Sequence, residues 1–326
     1  MKHTGKFLLG SSLVLSAVVL ASCGKTEQKT YIKQETAGTT VYFGKFAQTK
    51  VSEEEVTSLG LTSSKDNESK NEIVTVGDTS YYKVASAAPN ADGQYKASTG
   101  ETLVSGETYW FKMEDIAWRV LADDGSNYTL ISENVIASSA VYYSVPRLFE
   151  DNRTGYDVGS TNRRLARYLT ATTTTNRTAA GWLTQVGLDS ENKYIDRTKL
   201  QSITYTQTVI ESDSSMSSQN AVAITLSEEE LNSYESTNSQ TKRIAQTTDY
   251  ARATGAWMSI EEEIYGYGIY WLRDTSTTTA SDGTPCYNGM FKVVNEQGEI
   301  KEDYGFNTFG GVRPVIKVAK SDVTTK

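Results

Sequence analysis

The chain has 326 residues with 32 basic and 40 acidic side chains, a formal charge of −8, one histidine and two cysteines. No Lys/Arg block of five or more occurs, so nucleic acid, or an anionic membrane surface held by charge alone, is a poor partner. The lone histidine, His3, precedes a cleavage signal, which leaves the rest of the chain without a Ser-His-Asp triad, a Cys-His pair or a His-ligated zinc site.

The first predicted element is a leader. Lys2 and Lys6 precede an apolar run of about 14 residues, Phe7 to Leu20, too short for a lasting transmembrane helix, and Leu20-Ala21-Ser22-Cys23 follows. Residues 1–22 read as a signal peptide, and the four residues ending at Cys23 resemble the bacterial lipobox, in which the cysteine thiolate is acylated and cleavage occurs just before it. Cys23 is therefore the expected lipid anchor, since each buried acyl CH₂ contributes about 0.8 kcal/mol. The chain from Cys23 onward has 304 residues, with 30 basic against 40 acidic side chains, or −10. Its one remaining cysteine, Cys286, has no intrachain partner and reads as a buried small apolar residue, with a free thiol as the alternative.

Residues 23–39 are the lipidated cysteine and a polar stretch without sustained period, a flexible tether. The domain proper is expected over 40–318, followed by a polar tail at 319–326. Strand patterns come first: residues 40–46, a hairpin about Gly77-Asp78 in 73–85, and a second about Asp124-Gly125 in 116–132. "VSEEEV" (51–56) and "LSEEEL" (226–231) each carry a capping box, Ser52 with Glu55 and Ser227 with Glu230, flanked by apolar staple residues. "STNRRLARYL" (160–169) has a cap at Ser160 and apolar residues at i, i+4. The Ser/Thr-rich pieces at 170–178 and 211–220 read as exposed loops. Strands return in "GIYWLRD", "MFKVV", "EI" and "GVRPVIKV". Helices among strands without βαβ alternation predict an α+β class, a single compact domain around a twisted, mainly antiparallel sheet with a few short helices.

Constellations for catalysis are missing: no Walker A loop, GxGxxG, CxxC, HExxH or EF-hand loop is present. No cofactor is expected. Calcium is left open, although Asp282, Asn288 and Asp303 match no defined loop spacing. The glutamate runs at 53–55, 228–230 and 261–263 read as solvated helix starts that favour the macrodipole. Arg119, Arg273 and Arg313 each sit in an apolar strand pattern, as an alternation position, an internal ion pair or a ligand contact; Asp274 is one possible partner of Arg273. Trp110, Trp118 and Trp271 are expected in the core. Twenty tyrosines, clustered at Tyr142-Tyr143 and Tyr265-Gly266-Tyr267, suit either strand packing or a glycan or protein contact surface.

Eight stretches, "VYFGKFAQ", "IAWRVL", "LISENVI", "STNRRLARYL", "ITLSEEEL", "TTDYARATGA", "YWLRD" and "GGVRPVIKV", lie in the order of a bacterial domain of unknown function catalogued as number 6273, which the chain resembles over most of 40–318. Phe46 stands for that family's tyrosine after FG, "RLARYLT" for its LR-x-WLN, and "WLRD" lacks its Ser-Pro. The closing Gly-x-Arg, turn and strand is similar to sulfatase-modifying-factor and C-type-lectin-like domains, which implies loops displayed from a twisted sheet. Formylglycine generation needs a cysteine pair, so that activity is not expected here. The resulting expectation is a non-catalytic lipoprotein on the outer face of a bacterial cell membrane, or of the outer membrane in a Gram-negative cell. Its domain would bind a glycan, wall polymer or protein, with Arg273, Asp274, Tyr287, Asn288 and Tyr267 as ligand-binding candidates. A structural role in an envelope complex and a carboxylate-dependent glycan-active enzyme are the alternatives.

Overall fold

The computed structural model describes residues 39–63, 72–88, 95–138, 193–208, 216–234, 240–279, 285–304 and 310–326. All of them belong to the unit Tyr31–Lys326. The expected leader, Cys23, most of the tether, the 160–169 helix and the 170–178 loop lie outside the described residues.

The local signals in the first half produce the elements expected of them. β1 (Thr40–Lys50) is followed by helix α1 (Glu53–Ser58), where Ser52 Oγ accepts the Glu55 N–H at 3.2 Å and Val51 and Val56 are buried. β2 (Ile73–Val76) and β3 (Thr79–Ala85) form the hairpin about Gly77, whose φ of 60° is open to glycine at little cost. β4 (Thr108–Asp123) and β5 (Asn127–Ser132) form the next, with Asp124 Oδ1 accepting the N–H groups of Ser126 and Asn127 across the turn. β6 (Ala137–Ser138) ends this stretch.

The second half departs from the sequence reading at two places. β7 (Ile203–Thr208) pairs with β8 (Met216–Ala221), so part of the Ser/Thr-rich piece expected as a loop is strand. Thr204 and Asn220 lie directly opposite each other and Thr204 Oγ1 donates to Asn220 Oδ1 at 2.8 Å, so cross-strand pairing overrides the loop-like composition. β9 (Ala223–Ile224), α2 (Glu228–Tyr234), α3 (Gln240–Arg243) and α4 (Asp249–Ala253) come next, then β10 (Tyr270–Thr279), β11 (Pro285–Val294) and β12 (Ile300–Tyr304). "GVRPVIKV" is not one strand but two, β13 (Gly311–Val312) and β14 (Val315–Ala319), which belong to different sheets. Pro314 lacks the N–H a continuous ladder requires, and its carbonyl accepts instead from Ser132 N at 3.1 Å.

Among the described residues the strands form three sheets. The seven-stranded sheet runs β2-β3-β4-β5-β14-β9, with β1 also on β4. Phe111 pairs with both Lys50 and Tyr82, and Trp118 with both Val41 and Ser132, so β1 holds one edge of β4 while β3 and β5 divide the other. The five-stranded sheet runs β12-β11-β10-β13-β6, antiparallel except for the β10–β13 contact. The class is α+β, mainly antiparallel, with short helices. No helix among the described residues is long and apolar enough to cross a membrane.

Trp110, Trp118 and Trp271 are all buried, as expected of them; Trp110 Nε1 donates to Thr62 O and Trp118 Nε1 to Phe43 O, each at 2.8 Å. Truncating such an indole to alanine costs roughly 3–5 kcal/mol. Trp271 is flanked so closely by Gly310 that a Cβ there would lie 1.9 Å from its Nε1. The polar tail at 319–326 starts as the last residue of β14 and runs back along β1: Tyr42 N donates to Thr324 O at 2.8 Å and Thr324 N to Tyr42 O at 3.0 Å.

Candidate functional site

Helix α2 begins at the expected capping box, and the box is closed in both directions. Glu230 N donates to Ser227 Oγ and Ser227 N donates to Glu230 Oε2, each at 3.1 Å, with Leu226 and Leu231 buried on either side. The same Glu230 carboxylate takes two N–H groups of Arg273 on β10. Arg273 is 5% exposed; its Nη1 also donates to Thr225 O at 2.8 Å and its guanidinium lies 5.4 Å from the Tyr205 ring centroid. The partner of Arg273 is therefore Glu230, forty-three positions away, rather than the adjacent Asp274.

Asp274 turns to the start of the same helix and accepts the N–H of Glu228. Two consecutive strand residues would ordinarily point to opposite faces. Here the β10–β11 register advances from Trp271↔Val293 to Thr275↔Phe291, four positions against two, and this irregularity lets Arg273 and Asp274 both meet α2.

Between α2 and the strands below it opens a cleft of about 570 Å³, lined by Glu228, Glu229, Asn232, Asp274, Ser276, Lys292 and Glu302. Four carboxylates thus face one ammonium. Lys292 pairs with Glu228, while Glu229 and Glu302 are exposed and have no cationic partner among the described residues. Lys292 and Glu302 are cross-strand partners, which places Glu302 directly opposite on β12. Burial pushes the Asp274 carboxyl above its ordinary value, against the opposing pull of the Glu228 N–H and the nearby Arg273. Asn232 Oδ1 accepts from Arg243 Nη2 at 2.6 Å, so its amide is fixed by the short helix α3. Such a lining can accept hydrogen bonds from hydroxyl and ammonium groups and attract cations. Among the described residues no group of three or more His, Cys, Asp or Glu side chains is placed to hold a metal ion.

Of the sequence candidates, the structure sets Asp274 in the cleft and Arg273 behind it, as the ion pair that fixes the wall. Tyr267 lies elsewhere, buried in a cluster with Ile244 and Ile264. Tyr287 and Asn288 fall on β11, with Tyr287 opposite Thr277, in a stretch where only the backbone is described; Cys286, opposite Thr278, falls there too. The glutamates at 228 and 229, read as a solvated helix start, are cleft residues, and Lys292 and Glu302 were not singled out at all. Its place as the one charged residue inside the apolar run "MFKVV" is the signal the sequence offers for Lys292.

The other two arginines are internal. Arg119 Nη2 pairs with Glu133 at 2.8 Å and Nη1 donates to Lys242 O, whereas Arg313, 1% exposed, has no carboxylate partner among the described residues. Arg313 donates through Nε to Ser132 O (2.7 Å) and through Nη1 to Arg243 O (3.3 Å) and Tyr270 Oη (3.2 Å), beneath the Tyr270 ring at 5.1 Å. Both cations thus meet carbonyls at the end of α3, where the peptide dipoles favour positive charge.

No protein-family model matches the chain, and no curated protein or solved structure matches it either.

Proposed function

We propose that the chain is an exported bacterial lipoprotein, held on the outer face of the membrane by acylated Cys23, whose α+β domain is a non-catalytic receptor for a cationic ligand. The ligand class is an amine-bearing glycan or wall polymer, or a Lys/Arg-rich protein, and it is taken in the cleft between α2 and the strands β10, β11 and β12. The observation that carries this reading is the lining itself, four carboxylates drawn from three separate elements against the single Lys292. Like charges brought together at a surface cleft cost stability unless something compensates them, and a cationic ligand does so. The finer fold assignment, to a C-type-lectin-like or sulfatase-modifying-factor-like domain of the family catalogued as number 6273, belongs to the same proposal. The step from β13 through Arg313-Pro314 to β14 supports it.

The test is binding of the full-length protein, in detergent micelles, to fractionated envelope material. The variant Glu229→Gln/Asp274→Asn/Glu302→Gln is expected to bind at least about tenfold more weakly, and wild-type binding to weaken as salt rises. Unchanged binding by the triple variant, or no saturable binding by the wild type, overturns the proposal. Cys23→Ser is expected to shift the protein from the membrane to the soluble fraction, which tests the anchor separately.

A further inference from the structure

β12 is the terminal strand of the five-stranded sheet, and among the described residues nothing pairs with its outer edge. Asn295 N donates to Glu299 O at 2.9 Å, which makes 295↔299 a hydrogen-bonded pair of the β11–β12 hairpin. Antiparallel pairs alternate between bonded and non-bonded, so with the register Val293↔Lys301 and Phe291↔Asp303 the backbones of Lys301 and Asp303 face β11. The N–H and C=O groups of Ile300, Glu302 and Tyr304 therefore face outward. Glu302, whose backbone points to this free edge, is also the residue whose side chain lines the acidic cleft. A templating edge and an uncompensated negative charge meet in one residue.

We infer that the outer edge of β12 receives an extended, basic segment of a partner polypeptide as an added antiparallel or parallel strand, with Lys or Arg at alternate positions reaching over the acidic cleft. This rests on the reading of the cleft as a cation site and narrows its ligand to polypeptide. Main-chain hydrogen bonds to Ile300, Glu302 and Tyr304 supply binding independent of sequence, and the period-2 alternation of the added strand sends every second side chain toward Glu302. Charge complementarity selects the occupant. A second copy of this chain laid antiparallel about Glu302 would set Glu302 against Glu302, in a protein that is already acidic, so the edge rejects itself while accepting a basic strand. The five residues of β12 match a contact of about 17 Å, an ordinary strand length.

The probe is a terminally blocked heptapeptide alternating lysine and threonine, with a fluorescent label, titrated by anisotropy against full-length protein in micelles. Its comparison ligands are the same peptide N-methylated at alternate peptide bonds, in both registers, and an oligomer of glucosamine. Two variants separate backbone from charge. Glu302→Pro removes an outward N–H without touching the β11 ladder, as edge strands tolerate, and Glu302→Gln keeps the N–H and removes the charge. The result expected is saturable binding of the peptide, lost at least about tenfold on Glu302→Pro and on N-methylation in one register, and only a few-fold on Glu302→Gln. If the peptide binds but N-methylation in neither register weakens it, the strand-addition inference falls while the cation cleft stands. If the glucosamine oligomer binds and the peptide does not, the inference falls and the cleft is a glycan site. If neither binds, both readings fall. Concentration-dependent dimerisation that Glu302→Pro abolishes would show the edge to be a self-association surface and overturn the inference as well. N-methylation perturbs only the peptide, so the test holds even where Glu302→Pro is poorly folded.

Discussion

Replacing Glu230 by alanine removes two supports of α2 at once, and the structure allows their sizes to be worked out separately. The first is the return bond of the capping box, from Ser227 N, whose loss costs about 0.5–1 kcal/mol. The second is the charge partner of Arg273, whose contacts with Thr225 O and the face of Tyr205 remain. Removing one member of a buried pair typically costs about 3–5 kcal/mol, but the Glu230 side chain is 30% exposed against 4% for Arg273, so water screens part of the interaction and about 2 kcal/mol is the better figure. The total expected for Glu230→Ala is about 3 kcal/mol. Arg273→Met is expected to cost only about 1 kcal/mol, because methionine keeps the apolar stem against Tyr205 and the freed Glu230 can hydrate. The double variant should then be more stable than Glu230→Ala alone, a coupling of at least about 1 kcal/mol. Urea unfolding with unchanged m-values measures all four corners of the cycle. A cost below about 1 kcal/mol for Glu230→Ala, or a coupling near zero, would refute the assignment of this pair as the fastener between α2 and β10.

Arg313→Lys is expected to destabilise by at least about 2 kcal/mol, since a single ammonium cannot reach Ser132 O, Arg243 O and Tyr270 Oη together; thermal or urea unfolding reads this directly. Gly310→Ala forces a methyl group into the Trp271 indole and should cost about 1–3 kcal/mol in the same assay. Asp274 carries a pH dependence of defined sign. Its folded value lies above the ordinary 3.8, so between the two values the folded protein binds the extra proton, and stability contributed by this group is lost as pH rises through the raised value. Asp274→Asn, which can still accept the Glu228 N–H, should flatten that part of the stability–pH curve and leave the protein at least as stable at neutral pH; a steeper curve in the variant would contradict the assignment.

The features legible in the sequence are those written within a few neighbouring residues. The hairpins about Gly77 and Gly125, the caps at Ser52 and Ser227 and the burial of three tryptophans depend on local turn chemistry, spacing and side-chain size. The cleft is built differently. Glu228 and Glu229 look like any acidic first turn until β10 and β12 are known to pass beneath them, and nothing near Arg273 announces a partner at Glu230. Proximity in sequence pointed to Asp274, but the irregular register of β10 decides where that carboxylate goes. Pro314 signals the division of "GVRPVIKV" between two sheets, but the apolar pattern on either side reads as one strand. Arg313 inverts the usual expectation: its charge is met by Tyr270 and by backbone carbonyl dipoles, and the carbonyls leave no trace in residue type.

The bridge between Tyr42 and Thr324 has a practical consequence for protein engineering. The first strand and the last residues of the chain lie side by side, so a short linker from Lys326 to the residues ahead of β1 would close the domain into a ring without displacing either. New ends opened at Gly77-Asp78, in a hairpin at the margin of the seven-stranded sheet, would then give a circular permutant that keeps every strand pairing described above. A reporter domain fused after Lys326 would sit next to the start of β1.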